Sequence, residues 1–310
     1  MQLSANSVLA TKPKPIEYRY RYPFLFSFFY CKLLSSDDAA KLFADQRLTI
    51  LIDSGGFSAK NSGKEIDIEE YMEFLETYKD NFLGYMALDK VGDPKTSAEY
   101  LKIMLREGFK PVPIHVFGDG EKRLDELFEI SNFVALAGLR RPHRGAASKE
   151  YVQQKHRWAK GRRVHWLGYS KSSMLQTFRP FSCDTASWAT PSIWGRVPIY
   201  FGRGQWEGVT YNDLQKGFIK PAIVNWFKAR DLPLTVEEFA DSFYWRKTRF
   251  SHGTPDEKFV GSIGAWSWLE YIREFETTFG SKIFLAAAPA CHYMHSVWAF
   301  LKARGIERLK

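Results

Sequence analysis

Leu48-Thr49-Ile50-Leu51-Ile52-Asp53-Ser54-Gly55-Gly56-Phe57 is the stretch on which the reading of this chain turns. A short run of apolar and β-branched side chains ends on a carboxylate and is followed at once by two glycines. A run of that length bounded by turn residues reads as a buried strand. The Gly55-Gly56 pair leaves no side chain at the strand end, so a flat ligand can approach the backbone closely there.

Working outward, the same figure recurs. Short apolar runs lie at residues 24–30, 82–89, 111–116, 133–138, 164–168 and 181–184. Between them are charge-rich segments with helical periodicity at 68–79, 97–107 and 121–130. In the first of these Ile68, Tyr71, Met72, Leu75 and Tyr78 fall on one helical face. Strands alternating with helices imply a parallel sheet, and this rhythm approaches the eight strands of a closed barrel. The expected fold class is therefore α/β, a (β/α)8 barrel. Its eighth strand is either 196–201 or, after a long insertion, 282–287. Residues 205–280 break the rhythm and are rich in Trp, Lys and Arg. They are expected to form an appended helical layer on a single catalytic domain spanning 18–310. Residues 1–17, polar with two Lys-Pro pairs, read as a loose arm.

The ends of the strands carry the chemistry. Asp53, Asp89 and Asp184 each close an apolar run, His115 closes another, and Gly138-Leu139 and Gly168 end two more. In a (β/α)8 barrel the C-terminal strand ends converge, and active sites are built there. Carboxylates gathered at that edge can divide nucleophilic from acid/base work, as the cleavage of a glycosidic bond requires. Each residue also has a plainer explanation: an Asp after a strand often caps the next helix, and a lone His is often a satisfied core residue.

In this order the motifs resemble those of the tRNA-guanine transglycosylases and their DNA-modifying relatives, the 7-deazaguanine DNA transglycosylases. The carrying strings are DSGGF at 53–57, LDKVGDP at 88–94, VPIH ending at His115, LAGL at 136–139, VHWLGYS at 164–170 and FSCDTASW at 181–188. The resemblance covers about residues 48–190. It implies Asp184 as the nucleophile that holds the sugar covalently, and Asp53 as the general acid/base. It implies Asp89 as the carboxylate reading the guanine edge. Ser54, Gly55, Gly56, Phe57, His115, Gly138, Leu139 and Gly168 would surround the base, with Phe57 or Tyr169 stacking on it. No cofactor is implied, because the incoming 7-deazaguanine base, such as preQ0, is itself a substrate.

The departures narrow the expectation. Ser58 follows DSGGF where the family has Gln, and His115 stands in the place of a Gln. The zinc-binding Cys-x-Cys-x-x-Cys string of the tRNA enzymes is missing, its nearest remnant being Cys291, His292 and His295. No metal is therefore expected, with zinc at that remnant as the alternative. Loss of the zinc subdomain favours DNA over tRNA as the substrate and the shorter relatives, many of them encoded by bacteriophages. A non-catalytic nucleic-acid-binding subunit is the alternative from another class. A helper protein or a homodimer is a further possible partner.

Composition fits this reading without demanding it. The chain has 310 residues and a net charge of +9, a balance that attracts polyanions. Arg140, Arg141 and Arg144 follow directly on Leu139, and their forked guanidinium groups suit phosphate oxygens. Lys160, Arg162 and Arg163 precede a strand at its other end and read as surface charge. Arg246, Lys247 and Arg249 lie among aromatic residues, either as a single-strand platform or as one helix face. Aromatic residues make up 16% of the chain, with ten tryptophans, mostly expected in the core. Three scattered cysteines form no disulfide framework, and neither a signal peptide nor a membrane span stands out, so a cytoplasmic protein is expected.

Overall fold

The structure, a computed structural model, describes residues 22–45, 48–139, 146–188, 196–210, 213, 216, 220–229 and 255–287. The expected arm at 1–17 lies outside the described residues. The chain divides into two compact units, one holding Met1–Thr185 together with Phe279–Pro289, the other holding Ala186–Thr278 together with Ala290–Lys310.

The first unit is an alternation of strand and helix. In chain order it contains β1 (Tyr22–Ser27), α1 (Phe28–Cys31), α2 (Ser36–Phe43), β2 (Leu48–Asp53), α3 (Gly56–Asn61), α4 (Ile68–Tyr78), β3 (Gly84–Tyr85) and α5 (Pro94–Arg106). These are followed by β4 (Ile114–His115), α6 (Glu121–Ile130), β5 (Phe133–Leu136), α7 (Ala146–Trp158), β6 (Arg163–Trp166), α8 (Ser172–Phe178) and β7 (Ser182–Thr185). Local chemistry sets the helix starts. Asp67 accepts from the backbone N–H groups of Glu69 and Glu70 to begin α4, and Asp93 accepts from Thr96 while Pro94 takes the first turn of α5. Tyr71 and Leu75, two of the residues placed on one face by periodicity, are fully buried.

The chain of the second unit contributes β8 (Arg196–Gly202), β9 (Gln205–Thr210), α9 (Pro221–Lys228) and α10 (Pro255–Phe279). After it, β10 (Lys282–Ala286) returns to the first unit. The eight strands of the first unit form one sheet, in the order β3-β2-β1-β10-β7-β6-β5-β4. Every ladder in it is parallel.

This order settles the eighth strand in favour of 282–286, which inserts between β1 and β7. The other candidate, 196–201, pairs antiparallel with Gln205–Thr210 instead. The turn between them holds Gly202, Arg203 and Gly204, all at positive φ. The stretch expected to be helical from 205 thus opens as a strand. Around the hairpin, the rings of Tyr200, Trp206 and Trp268 pack 4.9 Å apart in succession. These aromatics are core of the second unit.

The parallel sheet curls. Leu25, Leu51, Met86, Ile114, Ala135 and Phe284, from six different places around it, meet in one buried cluster. Beyond β3 and β4 the outer strands are joined, among the described residues, by a single parallel bridge, Met86 with Val112. There Ala87 N–H donates to Val112 O at 2.9 Å and Val112 N–H to Tyr85 O at 2.8 Å. Side chains alternate across a strand, so the face carrying Leu25 and Leu51 also carries Ser27 and Asp53 two residues on. The concave side is thus apolar in its middle and polar at its C-terminal edge. Among the described residues no helix is long and apolar enough to cross a membrane.

Candidate active site at the C-terminal edge of the parallel sheet

Asp53 is the last residue of β2, and Ser27 faces it in the ladder from the end of β1. One Asp53 oxygen, Oδ2, accepts the backbone N–H of Gly55 at 3.0 Å, which turns the chain back over the carboxylate. Gly55 stands at φ +87°, and a Cβ there would lie 2.5 Å from both Phe29 Cβ and Ser27 Oγ. Gly56 is constrained differently: a Cβ would come within 2.3 Å of Asp89 O and 2.8 Å of Asp89 Oδ1. The two glycines let α3 seat against the second aspartate. Ser54, completely buried, closes the connection by donating its hydroxyl to Asp89 Oδ1 at 3.0 Å.

This packing sets the charge of the pair. Removal of water, with Asp89 and Asp184 adding their negative charge, pushes the Asp53 carboxyl up to about 8. Asp89 is also raised above the usual carboxylate range, by desolvation first, with the Ser54 hydroxyl opposing it. Both residues keep part of their surface exposed, so they sit at an accessible edge rather than in a sealed core. A cleft of about 220 Å³ opens beside Asp89, walled by Gly56, Ala59, Ile66, Leu88, Lys90 and Tyr100.

Asp184, on β7, is held in another manner. It is 5% exposed, and its Oδ1 accepts the Gly168 N–H at 2.7 Å and His165 Nε2–H at 3.2 Å. Gly168 stands at φ +63°, a backbone setting that few L side chains adopt. His165 Nδ1 in turn meets Ser182 Oγ at 2.8 Å. His165 was not singled out in the sequence. The signal was its position: Asp184 and Ser182 share one face of β7, and Ser182 is His165's neighbour in the β6–β7 ladder. The neighbouring Cys183 points to the opposite face, and burial holds its thiol well above the ordinary range, so it is unsuited to be the nucleophile.

The remaining expected residues fall as follows. Phe57 is 54% exposed, whereas Tyr169 is 7% exposed with its ring 5.7 Å from that of Trp166. Gly138, at φ +73°, lies against Phe117, where a Cβ would come within 2.7 Å of Phe117 Cβ. Leu139 is buried. His115 is fully buried with both ring nitrogens engaged: Nε2 donates to Gly120 O at 3.0 Å, and Nδ1 meets Lys155 Nζ at 3.3 Å. Burial drives His115 down to about 4 and Lys155 down to about 8. Lys160 pairs with Glu121 and Asp125, and Arg162 with Asp125, as surface charges do. Arg140, Arg141, Arg144, Arg246, Lys247, Arg249, Cys291, His292 and His295 lie outside the described residues. Among the described residues no group of three or more His, Cys, Asp or Glu side chains is placed to hold a metal ion.

The arrangement therefore offers a partly exposed acid that carries its proton near neutral pH, a carboxylate fixed by two donors, and a third carboxylate beside a cleft. No protein-family model matches the chain, and no curated protein matches it significantly.

Proposed function

We propose that this chain is a base-exchange transglycosylase that replaces guanine in a nucleic acid, DNA in the first instance, by a 7-deazaguanine base. The reading takes the curled sheet as a (β/α)8 barrel with the Met86–Val112 bridge as its seam. The observation that carries it is the unequal treatment of Asp53 and Asp184 at one sheet edge. Asp53 is desolvated and raised to about 8, while Asp184 is oriented by two donors on one oxygen, a division that suits an acid and a nucleophile.

In the first half-reaction Asp184 Oδ2 attacks C1′ of the nucleoside, and the bond from C1′ to the base nitrogen breaks. Asp53, protonated near neutral pH, gives its proton to that nitrogen, so guanine leaves neutral and Asp53 is left as a carboxylate. In the second half Asp53 removes the ring N–H proton of the incoming base. The base nitrogen displaces Asp184 from C1′, and both side chains return to their starting states. Asp89 accepts from the N–H edge of the base, with Ser54 steadying its Oδ1, and the Gly138-Leu139 backbone lies along the base. His115 is given no contact with the base, since both its nitrogens are already occupied. A base stacked in duplex DNA must be extruded, or presented in a single strand, before this chemistry can reach it.

The test is incorporation of radiolabelled guanine or preQ0 into defined DNA and tRNA, with Asp184→Ala and Asp53→Ala in parallel. Label in DNA that disappears in both variants is the expected result. Label in tRNA alone moves the substrate to tRNA, and no label in either, with nucleic-acid binding intact, overturns the exchange reading.

A further inference from the structure

We propose that His165 is a positioning residue for Asp184: a Ser182–His165–Asp184 chain selects which carboxylate oxygen faces the sugar. The inference rests on the base-exchange reading and adds to it a residue outside the reacting set.

The geometry begins with strand register. His165 and Ser182 are ladder partners on adjacent parallel strands, and Asp184 follows two residues along β7 on the same face. The three side chains therefore stand in one row on the concave side. Their contacts run in series, Ser182 Oγ to His165 Nδ1 at 2.8 Å and His165 Nε2 to Asp184 Oδ1 at 3.2 Å. An ionised carboxylate only accepts, so Nε2 must carry a hydrogen, and Ser182 at the other nitrogen fixes the ring's orientation.

Packing holds the ring where these bonds place it. The imidazole is fully buried, with T-shaped ring contacts to Phe133 at 6.4 Å and to Phe284 at 6.1 Å. A histidine serving only as filler between two phenylalanines has an isosteric apolar substitute. The structure spends buried polar atoms there instead, and both ring nitrogens find partners.

The consequence lies at the carboxylate. Among the described residues, the donors from His165 and Gly168 fall on the same oxygen, Oδ1. The carboxylate plane is thus pinned from one side, and Oδ2 is left as the attacking atom. Gly168 N–H belongs to the backbone and arrives with the β6 turn. His165 is the adjustable member, and its loss lets the carboxylate rotate about its Cβ–Cγ bond. A nucleophile misplaced by a fraction of an ångström loses rate without losing substrate affinity.

The experiment compares wild type, His165→Phe, His165→Gln, Ser182→Ala and Asp184→Ala in the exchange assay. It reads kcat, KM for the incoming base, and thermal melting as a check on folding. We expect His165→Phe to lower kcat by about 100-fold with KM within about threefold, the signature of lost positioning. His165→Gln, whose amide can still donate to Oδ1, should recover kcat to within about tenfold, and Ser182→Ala should lower kcat about three- to tenfold. An unchanged kcat in His165→Phe, or equal loss in the Phe and Gln variants, overturns the inference. Should His165→Phe fail to fold, Ser182→Ala with unaltered kcat overturns it in the same way. Full exchange by Asp184→Ala would instead sink the base-exchange reading itself, a result separable from the others.

Discussion

The two sides of the proposed site treat the same functional group in opposite ways. Around Asp53 the chain withholds water and sets two further negative charges nearby, with backbone N–H groups from Ser54 and Gly55 as partial compensation. Around Asp184 it supplies a backbone N–H and an imidazole to one oxygen. Desolvation favours the neutral acid, and donors favour the anion. The lesson is that identical aspartates at one sheet edge acquire different surroundings from their neighbours: the Gly55-Gly56 turn at one, the β6 residue His165 and the Gly168 turn at the other.

The sharpest way to break this contrast is to remove the second carboxyl group. Asp184→Ala should lower exchange by about 10⁴-fold or more, since it removes the group assigned to form the sugar ester. Incorporation of labelled base measures it, and residual exchange above one-hundredth of wild type would mean another nucleophile.

Asp53→Asn comes next, with an expected loss of about 10²–10⁴-fold. Its pH dependence is the more telling measurement. Guanine departure needs the protonated acid, so its single-turnover rate should fall as pH rises through about 8. Attack by the incoming base needs the carboxylate, so that rate should rise through the same region. The stability linkage has its own sign. The folded Asp53 keeps its proton up to about 8, while the unfolded group loses it near the ordinary value of 3.8. Its contribution to stability therefore falls as pH rises across that window. Asp53→Asn, an uncharged mimic, should raise Tm at pH 8 by about 3–8 °C while losing activity. A lower Tm at that pH would contradict the account.

Gly56→Ala probes the seat of Asp89. With the new Cβ driven to 2.3 Å from a backbone oxygen, either α3 or the Asp89 segment must move. A destabilisation of about 1–3 kcal/mol and a roughly tenfold rise in KM for the incoming base are expected. Ser54→Ala removes one hydrogen bond to Asp89 and should cost about 1 kcal/mol, a roughly fivefold effect on KM. The smallest effect on exchange is expected of His115→Phe. It removes one partner of buried Lys155, which keeps Asp119 O at 2.7 Å, so melting should fall modestly while kcat and KM stay within about twofold. A kcat loss there would place His115 at the base after all.

Much of the sheet was legible because its signals are local. The runs ending at Asp53 and Asp184 are bounded by their own turns, and the helix at 121–130 matches its periodicity residue for residue. The first run, 24–30, instead gives a strand that stops at Ser27 and turns into α1. A uniform apolar stretch carries no mark of where it changes conformation. The eighth strand was ambiguous because composition alone does not choose a partner: RVPIYF and KIFLA are equally strand-like. The turn at 202–204 favours a hairpin for the former, and only pairing with β1 and β7 places the latter. At the site, Asp53 and Asp184 were legible from their strands, whereas Asp89 lies beyond its strand, which stops at Tyr85. His165 was not legible, since its meaning depends on the register of two strands separated by a helix. His115 was visible as a strand-end residue, but Lys155, which occupies it, comes from a helix forty residues on.

The most direct test of the account is capture of the sugar–enzyme ester. The protein is incubated with guanine-containing DNA and no incoming base, denatured, digested and mapped by mass spectrometry. The account predicts a nucleic-acid adduct on the peptide carrying Asp184, increased in amount at low pH and discharged on adding preQ0. An adduct on another peptide, or guanine release with no adduct at all, would contradict it.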